Sequence, residues 1–348
     1  MDRIVKLKVL ILFLMISASL SASNSLFGLS KIEGIVLPDS IKEQDPYFVE
    51  SDELISTFGP KSISRNMIQT RDGSVWIACW QGIIQFDGEK YINHTLKEGL
   101  KKFHVFSVRE DRAGNIWFGT IRGGLYQYDG ACFNHYTTED GLGSNSITEI
   151  YEDSAGFLWF CTTGGVSKLE KGRFITYSKK DGLCSDGVNT IVETSPGNYW
   201  IGTRDKACSF DGQQFKELDH PSSSNGFVNI RCMIQSSDGR ILLAGDDGLW
   251  AFDGESYYQI HRPFTGYIFE TDAKQIYISA VDEVTGMWNV LRFGQDMKNA
   301  SITMEQIVPP LFSMGNMYFG ICELSDGSML FGNLKGIIKL KDKKLEIL

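Results

Sequence analysis

The chain is 348 residues long, 42% hydrophobic and 12% aromatic, enough to bury a large core and to exclude a disordered chain. Its formal net charge of −9 excludes nucleic acid and anionic lipid as partners, because both require cationic patches and the sequence shows none. Seven cysteines without a Cys-x-x-Cys or Cys/His cluster suggest no metal and no cofactor. They are expected as small buried hydrophobes rather than a disulfide framework.

Residues 1–23 carry Arg3, Lys6 and Lys8, then an apolar run from Val9 to Ile16, then small residues from Ser17 to Ser23. This is the layout of a secretory signal peptide. The run is shorter than the ~20 apolar residues that span a bilayer, so no membrane insertion is expected after cleavage, and the mature protein is expected to be periplasmic or secreted. Residues 24–58, with Ile35-Val36-Leu37 and Tyr47-Phe48-Val49, form an extension outside any repeat. They are expected to add a strand that closes the fold against the last strand, or to cover its outside.

Residues 59–348 repeat with a period of about 42 residues. The copies are centred on Gly73, Gly114, Gly156, Gly197, Gly239, Lys274 and Gly327, each followed three positions later by Trp76, Trp117, Trp159, Trp200, Leu242, Tyr277 or Leu330. In the unit 143–185 the runs Ile147–Glu152, Leu158–Thr162, Val166–Leu169 and Phe174–Tyr177 are short, β-branched or aromatic, and bounded by Gly, Asp or Ser. Each reads as a strand, and the unit as a four-stranded antiparallel meander, strands A to D. Seven such units predict an all-β, seven-bladed β-propeller of four-stranded antiparallel blades. The sixth unit is displaced and carries an insertion near Val281 to Thr285 or after Gly294. An aromatic at one position in successive blades is expected to pack between blades. Trp80, Trp250 and Trp288 stand outside that pattern.

Four residues before each centre stand Gln69, Glu110, Glu152, Glu193, Gln235, Glu270 and Glu323, five carboxylates and two amides. On the innermost strand these are expected to accept hydrogen bonds from backbone amides of the next blade rather than to hold a cation.

Variable residues in the B-to-C turns occupy the upper face, where the anchor-turn hairpins do not lie. The candidate ligand-binding set is Trp80, Gln81, Arg122, Thr163, Arg204, Asp205, Asp246 and Asn333. An aromatic, arginines and amides around a funnel suit a neutral or anionic sugar.

The strings Glu110-Asp111-Arg-Ala-Gly-Asn-Ile-Trp-Phe-Gly-Thr120, Gly124-Leu-Tyr-Gln-Tyr-Asp-Gly130 and Asp140-Gly-Leu142 closely resemble the two-component regulator propeller repeat. That resemblance implies a relative of the periplasmic sensor propellers of hybrid histidine kinases, which are thought to recognise glycans. Those receptors continue into a β-sandwich, a membrane helix and a kinase that this sequence does not show, so phosphotransfer is expected in a separate signalling partner. A second resemblance, through Gly-Asn-x-Trp strings, is to the virginiamycin B lyase family, whose chemistry uses a histidine base and a metal near the axis. Of His94, His104, His135, His220 and His261, only His104 stands at the head of a strand A, and it has no second member for a catalytic pair. The expected function is an exported, noncatalytic, sensor-type propeller that binds a small ligand such as an oligosaccharide. The alternatives are a propeller enzyme of lyase or hydrolase class, or a scaffold presenting its upper face to a protein.

Overall fold

The computed structural model describes residues 45–223, 226–293, 304–308 and 317–348. The expected signal peptide and the first part of the extension lie outside the described residues.

The chain is an all-β propeller of seven antiparallel sheets, each formed by one contiguous stretch of sequence. The strands A that line the axis are Ser64–Gln69, Val105–Glu110, Ile147–Glu152, Val188–Ser195, Cys232–Gln235, Thr265–Glu270 and Tyr318–Glu323. Each turns into its strand B through a residue held at positive φ. Six of these are glycines, such as Gly73 at 89° and Gly156 at 86°, and the seventh is Lys274 at 61°. The turn needs the left-handed region, which explains why glycine marks the repeat. Blade six lengthens in two places: residues 282–287 separate Ile276–Val281 from Trp288–Phe293, and residues 294–303 separate the latter from Met304–Gln306.

Seven apolar clusters fill the seven gaps between neighbouring blades. Trp159 and Cys161 of blade three pack on Ile191, Tyr199 and Ile201 of blade four, and Trp76 of blade one packs on Val108 and Phe118 of blade two. The aromatic position of the repeat therefore packs between blades, as its recurrence predicts. Two positions further along strand B every blade is small: Ala78, Gly119, Cys161, Gly202, Ala244, Ser279 and Gly332. A side chain there would press on the segment that enters the following blade, as at Gly202 against Ile230, and on its own strand A, as at Gly202 against Thr190.

The strand-A carboxylates tie the blades together, but to the preceding blade rather than the next one. Glu110 accepts from the Arg71 amide at 3.0 Å, Glu152 from Arg112 at 3.1 Å, Glu193 from Ser154 at 2.7 Å, Glu270 from Ser237 at 2.8 Å and Glu323 from Asp272 at 2.8 Å. Gln235 donates its amide to the Thr194 carbonyl. The direction follows from where each A-to-B turn projects: its first free amide points at the strand A that follows it in sequence.

The seventh tie closes the ring, with Gln69 accepting from the Ser325 amide at 2.7 Å. Met67, Val75 and Ile77 pack there against Cys322, Leu330 and Ile337. Among the described residues the two chain ends do not pair as strands. Ile55–Ser56 of the extension instead joins the outer edge of blade one beside Tyr91–Asn93, and Lys344–Ile347 pairs with Gly336–Lys341. Blades one and seven each draw all four strands from one stretch, so neither leaves an inner gap for an exchanged strand.

The cysteine expectation needs one correction. Cys184 and Cys208 form a disulfide, joining the loop that enters blade four to its third strand. Cys79, Cys161, Cys232 and Cys322 are free and buried, and Cys132 is free and exposed. Cys184 lies in a loop, where no strand periodicity hints at its neighbour across the blade.

Candidate functional site

In six blades the strand A carries a β-bulge at one place, visible as a register shift that leaves one residue unpaired. The extra residues are Arg65, Phe106, Thr148, Asn189, Gly266 and Phe319. In blade five Arg231 takes that place, immediately before Cys232–Gln235. A bulge re-aims its side chain out of the ladder. All seven residues line a single axial cavity of about 420 Å³.

The cavity wall has two characters. Blades six, seven and two contribute Phe264, Tyr267, Trp288, Phe319 and Phe106, whereas blades three and four contribute Thr148, Glu149 and Asn189. Blade six has glycine at the bulge, and the Trp288 indole occupies the space a side chain at Gly266 would take, 3.0 Å from its ideal Cβ. Ser279 accepts from the Trp288 indole N–H at 2.6 Å, and Phe264 packs on the ring.

Arg65 stands among the aromatics, its guanidinium carbon 3.9 Å from the Phe106 ring centre and 4.5 Å from that of Phe319. Burial, and then the charge of Arg231 across the axis, pull its pKa down to about 9, so it remains a cation at neutral pH. Burial also lowers that of Arg231, against the attraction of Asp246.

Burial pushes Glu149 up to about 7, against hydrogen bonds from the Ile191 amide at 2.8 Å and from Thr190, and against the Arg109 charge. The ordinary carboxyl value is 4.5, so the native state binds the extra proton between pH 4.5 and 7 and the unfolded chain does not. Stability should therefore fall as pH rises through that window. Glu149→Gln should flatten that part of a pH series of denaturant melts, and an unchanged slope would show that Glu149 does not titrate there.

None of the candidate residues of the upper face lines this cavity. Trp80 packs between Tyr47 and His104, each ring centre 5.3 Å away. Gln81 accepts from the Lys61 amide at 2.8 Å, Thr163 bonds Ser144 at 2.8 Å, Asp205 accepts from Ser185 at 2.6 Å and Asn333 accepts from the Lys335 amide at 2.7 Å. The Arg122 amide donates to Ser146 at 3.0 Å. Arg204 and Asp246 both act electrostatically on Arg231, which lines the cavity. The sequence does carry the bulge position, as the residue four before each Gln or Glu of strand A. Its chemistry differs from blade to blade, and a search for repeating chemistry passes over it.

His104 is held against Asp45 at 2.5 Å and does not line the cavity. Among the described residues no group of three or more His, Cys, Asp and Glu could hold a metal ion, and no helix is long and apolar enough to cross a membrane.

The two component regulator propeller model matches residues 104–122, 141–164 and 182–205, the opening of blades two, three and four. No curated protein matches the chain. Among solved structures, the extracellular domain of a hybrid two component system from B. thetaiotaomicron is similar at TM-score 0.67 and 21% identity, covering 82% of this chain and 41% of that one. Virginiamycin B lyase from Staphylococcus aureus is similar at TM-score 0.61 and 14% identity, over 84% of this chain and 99% of that one. PorZ, a surface component of the type-IX secretion system of Porphyromonas gingivalis, is similar at TM-score 0.59 and 14% identity, over 81% of this chain and 47% of that one. These identities show the fold alone, and the chain spans about two fifths of the B. thetaiotaomicron domain. This chain is therefore a seven-bladed β-propeller that carries two component regulator propeller repeats.

Proposed function

We propose that this protein is an exported, noncatalytic, sensor-type propeller that captures an oligosaccharide-sized solute in its axial cavity and reports occupancy to a separate signalling partner. One observation carries the reading: six bulges and Arg231 bring seven residues to one cavity, six of them with side chains, with aromatic rings on one wall and hydroxyl and amide groups on the other. That division matches a sugar, whose ring faces stack on aromatics while its hydroxyls need hydrogen bonds. Arg204 and Asp246 form the mouth beside Arg231, and the other upper-face candidates shape the rim. Export is supported by the layout of residues 1–23 and by the Cys184–Cys208 disulfide, a bond that persists in oxidising compartments.

Calorimetric titration of the purified protein with neutral and acidic oligosaccharides tests this. Phe106→Ala and Trp288→Ala should each weaken a hit by about tenfold or more, since truncating a stacked aromatic anchor costs over 1 kcal/mol. Affinity unchanged in both variants removes the cavity as the site. A lyase or hydrolase reading has one observation in its favour, the Glu149 carboxyl poised near neutrality in the cavity wall. Turnover of a bound sugar that is lost in Glu149→Gln would move the protein to that class.

A further inference from the structure

Two arginines on opposite sides of the axis form the most unusual chemistry in the cavity. Arg65 comes from blade one and Arg231 from blade five, and both line the same space. Neither guanidinium forms an ion pair or donates a hydrogen bond to a described residue. Arg204 adds a third positive charge beside Arg231, and the stronger attraction of Asp246 offsets that charge but lies on the Arg231 side alone. Two facing cations cost stability in a protein that is otherwise acidic, with a net charge of −9. A pure folding requirement would remove one of them or place a carboxylate between them.

The surroundings also preorganise one of the pair. Phe106 and Phe319 flank the Arg65 guanidinium, so much of its rotational freedom is lost before any ligand arrives. The N–H donors of a guanidinium lie at its edge in a fixed fork, a geometry that matches carboxylate and sulfate oxygens in pairs. We propose that Arg65 and Arg231 form an axial clamp for an oxyanion, so that the solute captured here is an acidic saccharide bearing a carboxylate or a sulfate ester. This rests on the axial cavity being the binding site, and it adds the ligand's charge. The aromatic wall then takes a sugar ring next to the clamped anion, and Asn189 and Thr148 face its hydroxyls.

The test titrates the full-length mature protein with a trigalacturonate, a sulfated disaccharide and a neutral galacto-oligosaccharide of matched length. The same series is run on Arg65→Gln, Arg231→Gln and Arg65→Lys, with thermal melts to establish folding. At least one acidic probe should bind about tenfold or more tighter than the neutral one. Each Gln variant should lose that preference, weakening the acidic probe about tenfold or more and the neutral sugar by less. Arg65→Lys should keep part of it, because the charge remains and the fork is lost. Whichever acidic probe binds identifies carboxylate or sulfate as the source of the oxyanion. Should a Gln variant fail to fold, sulfate alone supplies the readout: it should raise the melting temperature of the wild type above that in chloride of equal ionic strength.

Equal affinity for acidic and neutral sugars, or an acidic preference that survives both Gln variants, overturns the clamp. If Trp288→Ala and Phe106→Ala still weaken binding in that case, the cavity stands as the site and only the clamp falls. If acidic binding is insensitive to all cavity variants, both fall. No binding of any acidic probe, together with no sulfate effect, also overturns the clamp.

Discussion

Asp153→Leu should lower the unfolding free energy by roughly 3 to 5 kcal/mol, the largest single loss expected from a polar substitution in this chain. Asp153 is fully buried, and its carboxylate accepts three hydrogen bonds, each of 2.8 Å: from the Phe157 amide of its own turn, the Trp159 indole of its own blade and the Tyr199 hydroxyl of the next. Leucine leaves three donors without their acceptor, two of them on the buried Trp159 and Tyr199. Asp153→Asn should also destabilise, by about half as much. Its one remaining oxygen can serve the turn, but its amide nitrogen then faces two other donors. Blade one shows what the missing acceptor looks like. It has Thr70 at this position, and the buried Trp76 indole N–H has no protein partner. Urea melts of the two variants beside the wild type decide the matter, and a loss below about 1 kcal/mol for the leucine variant would show that the turn rearranges to serve its own donors.

Gly332→Val should break the ring where it closes. A Cβ at Gly332 would press into the backbone carbonyl oxygen of Ser64, and a backbone atom on the facing strand cannot swing aside as a side chain can. Blade seven must then move away from blade one, opening the cluster of Met67, Val75, Ile77, Cys322 and Leu330 and pulling Ser325 from Gln69. Overpacking of this kind costs about 3 kcal/mol or more when the neighbour is rigid. Limited proteolysis should cut first within blades one and seven, with the central blades surviving. A variant as stable and as protease-resistant as the wild type would mean that packing between blades seven and one does not hold the ring.

How much was legible in the sequence depends on whether a position repeats. The anchor glycines, the aromatic three residues on and the Gln or Glu four residues back recur in blade after blade, because each blade solves the same local problem. Each must enter a tight turn, cover a neighbour's face and satisfy the amides of an adjoining turn. Those constraints act over a few residues, and they were enough to predict seven antiparallel four-stranded blades and the structural role of Glu152 and its counterparts. The partner of each carboxylate is the opposite neighbour from the one expected, the preceding blade instead of the following one, since sequence order fixes that the blades adjoin but not which way a turn amide points.

The sequence by itself determined the blade count, the strand boundaries and the residues that hold blade to blade, because a repeated unit encodes short-range packing at a fixed spacing. Tertiary structure alone decided four things. It showed that among the described residues the ring closes by packing without a strand exchanged between its ends, and that Cys184 meets Cys208. It placed Trp288 over Gly266, and it turned Arg65, Phe106, Asn189, Arg231 and Phe319 into one cavity. The reason is physical. A bulge adds one unpaired residue to a strand, which leaves almost no mark on the period-two pattern of that strand. Seven such residues become neighbours only when the ring brings their blades around a common axis.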